Sequence, residues 1–143
     1  MSKEESSIGK YISVLFRCRK NYAGRMLEPF GLVGSQYLYI LMLSLKNGAS
    51  QEEISDHLKI DKTTTARSIK RLEDNGFIIR DIDTDDKRAN KVYLTQKAID
   101  ILPEIKKTIK TWESNILSDI SDDEINLLEK LLKKMADKAY SIS

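Results

Sequence analysis

Thr63, Thr64, Arg67 and Arg71 are the residues of this chain best equipped to act on another molecule, and their chemistry is hydrogen bonding and charge. At about 100° per residue they fall with Asp74 on one side of a helix, flanked by Ser68 and Lys70. The opposite side carries Ala66, Ile69 and Leu72. Guanidinium and hydroxyl groups complement the donors and acceptors of base edges, and a major groove is wide enough to admit one helix. Lys87 and Arg88 follow at the tip of a polar stretch between two β-rich runs, FIIR and VYL. A basic tip of that kind reaches a phosphate backbone or a minor groove. Ser50, Gln51, Lys62 and Thr65 complete the set expected to face nucleic acid.

The charge supports this only locally. Over 143 residues the net charge is +2, too little to mark a nucleic-acid binder. Residues 59–80 nevertheless hold six bases (Lys59, Lys62, Arg67, Lys70, Arg71, Arg80) against three acids (Asp61, Glu73, Asp74).

These groups need elements to hold them. Apolar residues at helical spacing (Ile8, Tyr11, Ile12, Leu15, Tyr22, Met26, Leu27) predict a first helix over Ser7–Glu28, ended by Pro29. A second begins at Gly34-Ser35 and stops at Asn47-Gly48; its QYLYILMLSL is apolar on nearly every side and reads as a central buried helix. Ser50 to Glu53 is a capping box opening a short third helix with Ile54 and Leu58 inward. Asp61 caps the fourth, and Gly76 ends it in a left-handed conformation. Phe77–Arg80 and Val92–Leu94 are strands of a hairpin. Thr95 caps a long helix through Trp112 to about Ile120, with a kink expected at Pro103. Ser121 to Glu124 is a further capping box, opening a helix striped by Ile125, Leu128, Leu131, Leu132, Met135 and Ala139.

The predicted fold is mainly α with a small β-hairpin wing, in a single domain over residues 1–143. Residues 34–95 form a winged helix-turn-helix, flanked by helices over 1–30 and 96–143. Those flanking helices have apolar stripes that a unit of about sixty residues cannot cover. Uncovered stripes mark a partner surface, and a symmetric homodimer built from both ends of each chain is the economical expectation.

Several function classes drop out. Cys18 is the only cysteine and His57 the only histidine, so neither a disulfide framework nor a zinc cluster is expected. No Gly-rich phosphate loop or Ser/His/Asp set appears, and no enzyme and no cofactor is expected. The polar start MSKEESSIGK lacks a signal-peptide core, and YLYILML is too short to span a bilayer. A cytoplasmic protein without membrane contact is the expectation.

DIDTDDKRANKVYLTQKA and RLEDNGFI together resemble the multiple-antibiotic-resistance regulator (MarR) family of winged-helix transcription factors. The wing match rests on Asp83, Asp85, Lys87, Arg88, Val92, Leu94 and Thr95. The helix-turn-helix match rests on Arg71, Leu72, Glu73, Gly76, Phe77 and Ile78. Ala98 departs from the glycine common after the Leu-Thr pair. The resemblance is specific over 50–95 and architectural elsewhere. It implies a homodimeric repressor on a palindromic double-stranded DNA operator, with release by a small phenolic or other aromatic ligand. It gives Arg88 a minor-groove or phosphate contact, oriented by Asp83 or Asp85. Arg17, Tyr37 and Trp112 become candidate ligand-pocket residues, although aromatics at these positions are most simply core and interface. Some relatives sense peroxides through a first-helix cysteine, but their position falls near Gly9; Cys18 reads as a half-buried helix residue. Two alternatives stay open: a cysteine-based redox switch on the same fold, and a winged-helix module for protein contact without DNA.

Overall fold

The computed structural model describes residues 6–81 and 90–143. Among them the elements run α1 (Ile8–Leu27), a 3-10 turn (Glu28–Phe30), α2 (Tyr37–Leu45), β1 (Ala49–Ser50), α3 (Gln51–Leu58), α4 (Lys62–Asp74), β2 (Ile78–Asp81), β3 (Lys91–Leu94), α5 (Gln96–Ile116) and α6 (Asp122–Ser141). The chain divides into two compact units, residues 1–109 and 110–143.

In the first unit, Pro29 lies in the 3-10 turn that follows α1, and Gly31 closes that turn at φ +89°. α2 begins at Tyr37, later than its Gly34-Ser35 signal, and buries Tyr37, Tyr39, Ile40, Met42 and Leu43. The expected burial on nearly every side fails at one end, where Leu45 is 79% exposed. Asn47 and Gly48 then do more than stop a helix. The Asn47 Oδ1 accepts the Leu94 N–H at 2.9 Å, and the Gly48 N–H donates to the Val92 carbonyl at 2.8 Å. Both tie the end of α2 to β3.

The wing's hairpin is part of a three-stranded antiparallel sheet in the order β1-β3-β2. Ala49 pairs with Val92 and Ser50 with Lys91 on one side of β3; Ile78 pairs with Leu94 and Arg80 with Val92 on the other. β1 went unforeseen because two residues carry no alternation to read.

The core joins Leu32, Ile40, Leu43, Ile54, Ile69, Leu72, Phe77, Ile78 and Val92 to Ala23 and Leu27 of α1 and Ala98 and Ile105 of α5. The buried cluster therefore reaches beyond 34–95 at both ends. Thr95 makes the junction with α5: its hydroxyl donates to the Gly76 carbonyl at 2.6 Å and accepts the Ala98 N–H at 3.4 Å. Ala98 is fully buried there. α5 continues through Pro103 and stops at Ile116, short of Ile120.

The rest of α1 is open. Ile8, Tyr11, Ile12, Val14, Leu15 and Phe16 are all exposed. In the second unit, the Ser121 hydroxyl accepts the Glu124 N–H and the Glu124 carboxylate accepts the Ser121 N–H, completing the capping box of α6. No residue of α6 is buried, and Leu127, Leu128, Leu131, Leu132 and Met135 are exposed. No described helix is long and apolar enough to cross a membrane.

Candidate nucleic-acid interface

Two short helices and the corner between them set the geometry. The Ser50 hydroxyl accepts the Glu53 N–H at 3.1 Å and the Glu53 carboxylate accepts the Ser50 N–H, fixing the start of α3. Lys46 also pairs with Glu53, and that hydrogen bond, followed by the Ser50 N–H, holds its carboxyl below the usual carboxylate range. α3 ends at Leu58, and Lys59 after it is left-handed at φ 55°. The chain closes the corner with the Ser55 hydroxyl donating to the Ile60 carbonyl. Asp61 then caps α4, its carboxylate accepting the Thr64 N–H at 2.9 Å. Hydrogen bonds from Thr64 keep that carboxyl ionised to lower pH than usual.

α4 turns Thr65, Ile69 and Leu72 inward. Thr63, Thr64, Arg67, Lys70, Arg71 and Asp74 are exposed, and Ser68 is half-buried. The outer face expected from the sequence is therefore present, with its inner face shifted by one residue. Ala66 is exposed, and Thr65 takes its place in the core. Thr65 is 1% exposed, so it is corrected from the set of nucleic-acid-facing residues. Ser50 is corrected likewise: it is buried, and its hydroxyl serves the α3 cap.

The cations of this face divide into paired and unpaired. Lys62 lies 3.7 Å from Glu52; Lys70 lies 3.0 Å from Asp74 and 3.8 Å from Glu73. Among the described residues Arg67 and Arg71 have no ion pair, and both are exposed. Arg80, counted above only as local charge, points elsewhere. Its Nη2 and Nε donate to the two Glu73 oxygens at 2.8 and 3.1 Å, and its Nη1 to the Gln51 Oε1 at 3.3 Å. Gln51 is thus held by Arg80. Lys97, also missed, donates to the Asn75 carbonyl at 2.7 Å with its ammonium 4.4 Å from the Phe77 ring centre. It secures the turn after α4. Neither contact had a sequence signal: Glu73 is met only after the chain reverses, and Gln51 and Asn75 lie 29 and 22 residues from their partners.

Asp83, Asp85, Lys87 and Arg88 lie outside the described residues. Of the candidate pocket residues, Arg17 is exposed on α1 and Tyr37 is 2% exposed in the core. Trp112 is half-buried and belongs to the second unit. Cys18 is exposed rather than half-buried. The described residues hold no group of three or more His, Cys, Asp or Glu side chains placed to bind a metal.

A model of the MarR family matches residues 34–89. A MarR transcriptional regulator from Methanosarcina mazei Go1 is 36% identical in sequence and superposes with a TM-score of 0.84. That match covers 95% of this chain and 98% of the other. The chain belongs to the MarR family. A helix-turn-helix transcriptional regulator of Clostridioides difficile (strain CD3), BilQ, is 30% identical over 118 residues, which is 82% of this chain and 80% of that protein. A MarR-family regulator from Listeria monocytogenes, solved in complex with a 26mer DNA, is 30% identical at a TM-score of 0.87, covering 95% of this chain and 91% of its own. As a MarR-family member the protein is a transcriptional regulator and no enzyme. α3 and α4 are the helix-turn-helix of that fold, and the sheet that ends in β2 and β3 is its wing.

Proposed function

We propose that the protein is a homodimeric, sequence-specific DNA-binding regulator that represses from a palindromic operator. The observation that carries this reading is the outer face of α4, where Arg67 and Arg71 stand exposed and outside the ion pairs that occupy Lys62 and Lys70. Among the described residues these guanidinium groups have no ion-pair partner to give up before meeting guanine or phosphate. Thr63 and Thr64 add hydroxyls on the same side. The Listeria relative solved with DNA supports DNA as the partner. Lys87 and Arg88, with Asp83 or Asp85 orienting the arginine, supply the wing's contact. Dimerisation rests on the open apolar faces of α1 and α6, each of which lacks cover within its own unit.

Release by a small phenolic or other aromatic molecule belongs to this reading through the family resemblance. Arg17, exposed on α1, would meet the anion, whereas Tyr37 is closed off in the core. Because Trp112 is the only tryptophan, its fluorescence is the direct readout of such binding.

Selection of duplexes from random sequence by the purified protein tests the core of the proposal. The recovered sites are expected to be inverted repeats with half-sites about one helical turn apart, roughly 34–36 Å. Asymmetric single sites would count against a two-fold reader. On a recovered site, Arg67→Ala should lose about 1–3 kcal/mol more than on random duplex if the arginine reads a base edge. An equal loss on both would make Arg67 a phosphate anchor.

A further inference from the structure

Arg80 is exposed too little, and bonded too fully, to be a surface charge. Its guanidinium donates two parallel hydrogen bonds to the Glu73 carboxylate, at 2.8 and 3.1 Å, and a third at 3.3 Å to Oε1 of Gln51. The Arg80 and Glu73 side chains are only 25% and 29% exposed. A planar fork matches a carboxylate edge in a way that a lysine ammonium cannot.

The three partners belong to three elements that carry different parts of the proposed DNA surface. Gln51 is the first residue of α3. Glu73 closes the last turn of α4, two residues after Arg71 and six after Arg67. Arg80 sits in β2 opposite Val92 of β3, one residue before the strand ends at Asp81 and the chain continues toward Lys87 and Arg88. One guanidinium therefore sets the spacing between the helix that would enter the groove and the strand that leads to the wing.

We propose that Arg80 is a positioning residue for sequence reading, holding α4 and the wing strand at one fixed separation through Glu73 and Gln51. This rests on the DNA-binding reading above. Gln51 then acts through Arg80 and not as a direct contact. A duplex of the preferred sequence must be met by helix and wing in one register, and a preset spacing removes the cost of ordering them at binding. Random duplex, held through phosphates alone, tolerates a looser arrangement.

The test uses the full chain with Arg80→Lys, Glu73→Gln and Gln51→Ala. Binding is measured to a duplex recovered by selection and to a random-sequence duplex, over a series of salt concentrations, beside thermal melting. Arg80→Lys keeps the charge and loses the fork. It is expected to bind the selected duplex about tenfold more weakly while random duplex changes by less than about twofold. The slope of log K against log salt should hold, because the same phosphate contacts form in the end. Glu73→Gln should show the same selectivity of loss, and Gln51→Ala a smaller version of it. Wild-type affinity for the selected duplex in Arg80→Lys overturns the proposal. So does a loss in Arg80→Lys that is equal on both duplexes, and a flattened slope there would make Arg80 a phosphate contact. If Arg80→Lys fails to melt cooperatively, Glu73→Gln and Gln51→Ala decide by the same ratio, and wild-type behaviour of both overturns it. Should the wild type itself show no preference between the duplexes, the DNA-reading function fails and the positioning role with it. A wild-type preference lost only in Arg67→Ala would sink the positioning role alone.

Discussion

Thr65 shows how one residue's environment decides between two roles that its chemistry permits. A threonine on a basic helix is a natural groove contact, yet here its side chain is sealed in the core and its hydroxyl lacks a hydrogen-bond partner among the described residues. A buried hydroxyl without a partner costs free energy, while a methyl group in the same space does not. Thr65→Val is expected to raise stability by about 1 kcal/mol and leave DNA affinity unchanged. A destabilised variant in a denaturant melt would mean that the hydroxyl is satisfied after all. The error in reading Thr65 arose from a phase difference of one position. Helical period itself favours Thr65, four and seven residues before Ile69 and Leu72 and so between them on the wheel, over Ala66, which lies outside that arc; residue polarity had outweighed the geometry. Arg67 and Arg71 were legible because a helix face opposite an apolar stripe is fixed by period alone. Glu73 was not, since its partner Arg80 is reached only after the chain reverses. That pair also carries a pH dependence. Hydrogen bonding from Arg80 holds the Glu73 carboxyl below its ordinary range, so its contribution to stability is present above the unfolded-state pKa. It is lost as pH falls through the lower, folded value. Wild type should therefore lose more stability on acidification than Glu73→Gln, as compared by thermal melts from neutral to strongly acidic buffer. Parallel curves would mean that the carboxylate contributes nothing.

At the scale of elements, caps were the most readable signals and short strands the least. Ser50, Asp61 and Ser121 each make the N-terminal hydrogen bond that their residue types and spacing predict. Gly76 adopts φ +81° after α4 as expected of a helix-ending glycine. The hairpin strands were visible as branched, apolar runs, whereas β1 has only Ala49 and Ser50 and exists because β3 offers it a free edge. Gly48 is the hinge on which that pairing depends. Its φ is +92°, and a Cβ there would sit 2.9 Å from the Tyr93 ring of the adjacent strand. Left-handed backbone costs an L-residue about 1–2 kcal/mol, and the ring contact adds to it. Gly48→Ala should lower stability by at least about 1 kcal/mol. Because β1 joins α2 to the wing strand, amide exchange at Ala49 and Ser50 should accelerate with it. Unchanged stability would mean that the turn can adopt another conformation at no cost.

For the whole molecule, the governing question is what covers α1 and α6. In a folded chain of this size apolar stripes of three or more turns are rarely left in water, and here both terminal helices present them. The sequence showed this plainly through helical period, since the stripes exceed what a winged unit of about sixty residues can hide. It could not show that α1 and α5 would each lend residues to the central core at Ala23, Leu27, Ala98 and Ile105, because burial at those positions depends on which helix packs beside them. The two-fold homodimer proposed above would cover the remaining stripes and present two copies of α4 to a palindromic site. Leu128, 39% exposed in the middle of the α6 stripe, is the position that tests this. In the dimer its isobutyl group would be buried, and Leu128→Asp would place a carboxylate in an apolar seam at a cost of several kcal/mol. The variant should elute and scatter light as a monomer, or fail to fold, and lose the selected operator in either case. Lys130→Ala, about 200° around the helix on the polar side, should leave dimer and binding intact. Mass action adds a second check. Wild-type melting temperature should rise with protein concentration if folding and association are linked. A dilute wild type that stays folded and monomeric, with Leu128→Asp equally stable, would show that these stripes are surface and not interface.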